Sequence, residues 1–207
     1  HKTKIMIVLP ASLQGNFRSE LRSQCAGDFY LKDKEREILK VTHPSDPAYK
    51  KIIDESDNRI NDVYTIYSYN KFISLLQEGA ISLSNTLLII DEVHNLISET
   101  GIYYETLYDA VHSAPASLRV VLMTATPIFD KPGEIALTMN LLLRNKQLPT
   151  GTDFIHKFIT IKNTTRGPVY SVKNLDLFKK YIRGYVSYYR GAPPHVFPKS
   201  ELHFVKC

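Results

Sequence analysis

Short runs of branched apolar residues recur along this chain, with stretches of helical spacing between them. Residues 5–9 are continuously apolar and closed by Pro10, the pattern of a strand buried on both faces. Leu13, Phe17 and Leu21 then recur at helical spacing, which predicts a helix over 13–24, with Ser12 placed to cap it. A second strand is predicted over 63–67. A short helix over 68–76 should follow, with Phe72, Leu75 and Leu76 on one face. Thr86–Ile90 has the strongest strand pattern and runs directly into Asp91-Glu92-Val93-His94. A helix over Ile102–Ser113, a buried strand over 119–123 and a helix over 134–143 complete the alternation. Strands alternating with helices predict right-handed crossovers and a parallel sheet, hence an α/β fold.

Two regions depart from this rhythm. Residues 31–62 begin with a mixed-charge run, pass through the turn His43-Pro44-Ser45-Asp46-Pro47 and end in a second polar stretch. They read as a solvated helix pair with a loop. After Leu148 the chain turns at Pro149-Thr150-Gly151 and becomes more polar. Four tyrosines lie between 181 and 189, Gly191-Ala192-Pro193-Pro194 breaks the chain, and 201–207 alternate like a strand. The tyrosines could stack on bases, but packing is the preferred reading.

Composition narrows the class. Hydrophobic residues make up 43% of the 207 and charged residues 23%, a globular balance rather than a disordered one. The two cysteines, Cys25 and Cys207, form no disulfide framework, so a reducing compartment is expected. No apolar run approaches the length of a membrane span. The net charge of +5 is compatible with a phosphate backbone as partner.

Chemistry concentrates where strands end. In open α/β sheets, ligands bind outside the carboxyl ends of the strands. Asp91 and Glu92 emerge there from an apolar strand. Asp91 is placed to hold a nucleotide-bound magnesium ion, which needs few protein ligands because it keeps its waters. Glu92, one residue on, is placed to orient and deprotonate a water in line with the terminal phosphate. The plain alternative is an acidic pair that caps a helix or meets solvent. His94 has no second histidine at metal spacing, which argues against zinc.

Leu87-Leu88-Ile89-Ile90-Asp91-Glu92-Val93-His94 resembles the DExH form of the Walker B box of superfamily 2 helicases. Thirty-two residues after Asp91, Met123-Thr124-Ala125-Thr126-Pro127-Ile128 resembles the Ser/Thr-Ala-Thr box of that family, motif III. Residues 7–17, with Pro10-Ala11-Ser12-Leu13, resemble motif Ia as it is written in Swi/Snf-type translocases, and Ile66-Tyr67-Ser68-Tyr69 resembles motif Ib. Tyr185-Val186-Ser187-Tyr188-Tyr189-Arg190-Gly191, with Phe197-Pro198, is similar to the helicase-like transcription proteins of poxviruses, African swine fever virus and giant viruses.

This resemblance implies a RecA-like, doubly wound parallel sheet forming an incomplete first motor lobe. It implies ATP and magnesium as cofactors, with Asp91 and Glu92 catalytic. His94, Thr124 and Thr126 would couple the nucleotide site to the track, and Pro10, Ser12, Asn16 and Ser68 would contact nucleic acid. The expected partners are nucleic acid, with DNA favoured over RNA, and a viral RNA polymerase or transcription factor subunit. A viral protein of this kind would work in the host cytoplasm and the virion. The phosphate-binding GxxxxGK loop is not in this sequence. The expected layout is therefore lobe 1 without that loop over 1–148, a helical extension and crossover over 149–200, and a strand toward a second lobe from 201. Alone, the chain is expected not to hold ATP or hydrolyse it. The rival readings are an RNA helicase and a non-catalytic scaffold that keeps the fold.

Overall fold

The computed structural model describes residues 3–98, 101–128, 131–165, 167–189 and 191. Four strands, β1 (Lys4–Leu9), β2 (Tyr64–Ser68), β3 (Thr86–Ile90) and β4 (Arg119–Leu122), pair in parallel in the order β2-β1-β3-β4. The chain moves outward from β1 to β2, then crosses back over β1 to β3. That reversal places the topological switch between β1 and β3. Met6, Ile7, Val8 and Leu9 are all buried, as a central parallel strand requires.

On one face of the sheet lie α4 (Tyr69–Gln77) and α5 (Ile102–Ser113), whose Phe72, Ile73, Leu107 and Val111 pack against Met6, Val8, Leu88 and Ile90. α1 (Gln14–Leu21), α2 (Asp33–Val41) and α3 (Pro47–Asn61) occupy the β1–β2 crossover. The helix pair read from the charged stretch is therefore present. It is not wholly solvated, because α3 buries Ile52, Ser56 and Ile60. Arg18 of α1 and Arg22, just past its end, both pair with Asp57 of α3, and Arg59 pairs with Glu35 of α2 at 2.6 Å. The Arg36 guanidinium donates to the carbonyls of Arg22, Ser23 and Gly27. The insert is thus clamped onto α1 by charge rather than by a large apolar face.

Three expectations need correction. β4 is not a buried strand: Val121 is 43% exposed, because among the described residues β4 pairs only with β3. Ser12 does not cap a helix. Pro10 leads a 3-10 turn over Ala11–Leu13, and no side chain caps it or α1. The region after 148 is not simply helical. α6 (Glu134–Asn140) is followed by α7 (Gly151–Phe158), an antiparallel hairpin of β5 (Ile159–Thr164) and β6 (Gly167–Val172), and α8 (Leu175–Ile182). Phe154, Phe158, Leu143, Leu148 and Met139 build a second apolar core there, capped by Phe178 and Tyr181. The crossover beyond 191 and the strand expected over 201–207 lie outside the described residues.

Candidate functional site

Register brings the sequence motifs to one edge. Leu9 pairs with Ser68, Val8 with Ile90, and Ile90 with Leu122. Pro10, Ser68, Asp91 and Met123 therefore leave the sheet side by side at its carboxyl end. The ladder continues past the strands. Asp91 N–H donates to the Val8 carbonyl at 2.8 Å, Met123 N–H to Ile90 at 2.8 Å, and Val93 N–H to Met123 at 3.0 Å. The segment carrying the carboxylates is stitched to both neighbouring strands.

Glu92 has φ 48° and ψ 46°, left-handed geometry that is uncommon for a residue with a side chain. Three groups hold that turn. The Asp91 carboxylate accepts Glu92 N–H at 3.0 Å. The Tyr69 hydroxyl is shared between the carbonyls of Asp91, at 2.5 Å, and Glu92, at 3.0 Å. The Asn95 side-chain amide also donates to the Glu92 carbonyl, at 3.1 Å. Burial pushes the Tyr69 phenol up to about 12, and the nearby Asp91 and Glu92 charges push the same way against the lowering effect of Asn95. The phenol thus stays a donor throughout the neutral range. Tyr69 was not among the expected site residues. Its only sequence signal was its place in Ile66-Tyr67-Ser68-Tyr69, directly after Ser68.

His94 joins this turn to the end of β4. Its Nδ1 lies 2.9 Å from Thr124 Oγ1 and 3.2 Å from Glu92 Oε2. The second contact is close but lacks hydrogen-bond geometry, and Glu92 Oε2 is enclosed without a hydrogen-bond partner. Thr124 Oγ1 also accepts Thr126 N–H at 3.0 Å. Glu92, His94, Thr124 and Thr126 are therefore brought together, with Thr126 entering through its backbone. A single ring nitrogen faces two oxygens, an arrangement that can trade one bond for the other.

The four expected nucleic-acid residues are less alike. Pro10 and Ser68 sit at the carboxyl edge. Ser12 and Asn16 are exposed further along the 3-10 turn and α1. Ser68 is the N-cap of α4, with its Oγ accepting Lys71 N–H at 3.4 Å. Among the described residues no three His, Cys, Asp or Glu converge to form a protein-only metal cage. A half-buried carboxylate at a strand end still fits magnesium that arrives with phosphate oxygens and its own waters.

No protein-family profile matches the chain. A protein of Acanthamoeba polyphaga mimivirus named as an ATP-dependent RNA helicase is 68% identical over 206 residues, covering 100% of this chain and 36% of that protein. A protein of Invertebrate iridescent virus 3 named as a helicase is 30% identical over 91% of this chain and 17% of its own length. The termination factor NPH-I homolog of African swine fever virus is 26% identical over 88% of this chain and 24% of its own. The chain thus spans about a third or less of the length of these relatives. Over that span it belongs to the superfamily 2 helicases of the large DNA viruses.

Proposed function

We propose that this chain is part of an ATP-driven motor that moves along nucleic acid, with its hydrolytic residues at the carboxyl edge of the sheet. The observation that carries this reading is the joined network of Glu92, His94, Thr124 and Thr126 at the ends of two adjacent strands. Asp91 would hold magnesium, which when bound offsets phosphate charge. Glu92 would orient a water and accept its proton. His94 Nδ1 would turn between Glu92 and Thr124. Held against Glu92 it restrains that carboxylate, and turned to Thr124 it releases it. Movement of Thr124 would in this way govern when Glu92 acts as a base. Pro10, Ser12, Asn16 and Ser68 would line the track beside this edge.

Duplex DNA is the favoured track, and service to viral transcription the favoured role, supported by the likeness to a protein named a termination factor. That role implies a viral RNA polymerase or transcription factor subunit as partner, in the host cytoplasm and the virion. The second reading is an RNA helicase, favoured by the name of the mimivirus relative. ATP hydrolysis by the full-length protein, with duplex DNA, single-stranded DNA or RNA added, separates the two. Glu92→Gln should lower the rate about 10²- to 10⁴-fold. Unchanged hydrolysis in that variant would remove Glu92 from the mechanism, and no hydrolysis in any parent condition would leave the scaffold reading.

A further inference from the structure

The charge of this protein is unevenly placed. Residues 1–143 hold 14 Lys and Arg against 18 Asp and Glu, while residues 144–207 hold 12 against 3. The sheet region is therefore net −4 and the remainder net +9. A basic region carried by an otherwise acidic chain is the electrostatic footprint of a polyanion site.

Three of these cations, Arg144, Lys146 and Lys180, line one shaped receptacle. Between the α6–α7 connection and α8 lies a cleft of about 440 Å³, lined by Arg144, Asn145, Lys146, Lys180, Tyr181 and Tyr185, with no Asp or Glu among the described residues that line it. Arg144 is a fixed cation, because its guanidinium donates to the carbonyls of Val111 and Ala114 at the end of α5. Lys146 Nζ stands 4.7 Å from the Tyr181 ring centre, which orients a second cation. The chain leaving α8 adds three exposed aromatic faces, Tyr185 at 51%, Tyr188 at 77% and Tyr189 at 87%. The packing expected for these tyrosines holds for Tyr181 alone. Gly184, Tyr185 and Arg144 also line a neighbouring cavity with Leu118 and Arg119 at the amino end of β4. The cleft thus lies at the end of the sheet opposite Asp91 and Glu92.

We propose that this cleft and the tyrosines beyond it bind a single strand of nucleic acid, at a site separate from the carboxyl-edge track. Cations on the cleft wall suit backbone phosphates. Exposed tyrosine faces suit bases, but only bases free of a partner strand, and this selects a single strand over a duplex. Arginine and tyrosine together serve such strands without reading sequence.

The test is binding of labelled oligothymidylate and oligouridylate to the full-length protein without ATP, beside a matched duplex and with polyglutamate as competitor. Lys146→Glu with Lys180→Glu should weaken single-strand binding at least tenfold. It should also reduce the slope of log affinity against log salt by about 1.4, two phosphate contacts at about 0.7 each. Tyr188→Ala with Tyr189→Ala, both exposed and so safe for folding, should weaken the single strand at least tenfold and leave the duplex unchanged. Parent-like single-strand affinity in both variants overturns the proposal. Equal loss for duplex and single strand also overturns it, as does displacement by polyglutamate as effective as by oligonucleotide, which would mark a site for acidic protein. Because ATP is absent, the result stands apart from the hydrolysis reading, which Glu92→Gln tests by itself.

Discussion

The two apolar cores of this molecule are built differently. Around the parallel sheet, strands β1 and β3 turn Met6, Val8, Leu88 and Ile90 toward α4 and α5 in one continuous core. Around Phe154 and Phe158, helices α6, α7 and α8 close on one another, and the β5–β6 hairpin lies over them with most of its residues exposed. The first arrangement holds chemical groups in fixed register at a sheet edge. The second presents charge and aromatic surface. The proposed motor would use both, the first to place atoms for reaction and the second to hold a polymer.

The largest expected effect tests whether the cores are separable. Phe158 is 1% exposed and lies 5.1 to 6.4 Å, centre to centre, from the rings of Phe154, Phe178 and Tyr181. Phe158→Ala should cost about 3–5 kcal/mol locally. Amide exchange should then quicken across β5, β6 and α8 while β1 and β3 keep their protection. A uniform loss of protection would mean one cooperative unit, and the contrast drawn above would fail.

A smaller effect sharpens the other side. Tyr69→Phe removes only the hydroxyl that spans the Asp91 and Glu92 carbonyls. In the full-length protein kcat should fall about tenfold, about 1.4 kcal/mol, with KM for ATP unchanged. A fall in thermal midpoint with parental kcat would reduce Tyr69 to a packing residue.

Much of the first region was legible because burial on both faces leaves an unmistakable apolar run. Thr86–Ile90 and Ile102–Ser113 match their predicted bounds. The hairpin was not legible. β6 is exposed at nearly every position, and β5 buries only Ile159, so neither strand shows the alternation that a half-buried strand imposes. β4 misled in part: Val120 and Leu122 do pack against the core, but Val121, read the same way, faces out. At the site, Glu92, His94 and Thr124 were visible through motif spacing. Tyr69 was hidden because its contact, 22 residues away, is to backbone carbonyls, which carry no sequence signature.

The left-handed backbone at Glu92 sets stability against activity at one position. A side chain there costs about 1–2 kcal/mol relative to right-handed geometry, and only glycine escapes that cost. Glu92→Gly should therefore yield an inactive protein that is more stable by about 1 kcal/mol in chemical denaturation; a less stable variant would show that the side chain supports the turn more than the backbone resists it. Selection for folding alone would favour glycine at this position. Under the proposed role, keeping a carboxylate there is a load the fold carries, and a library screened only for robustness would discard the proposed base first.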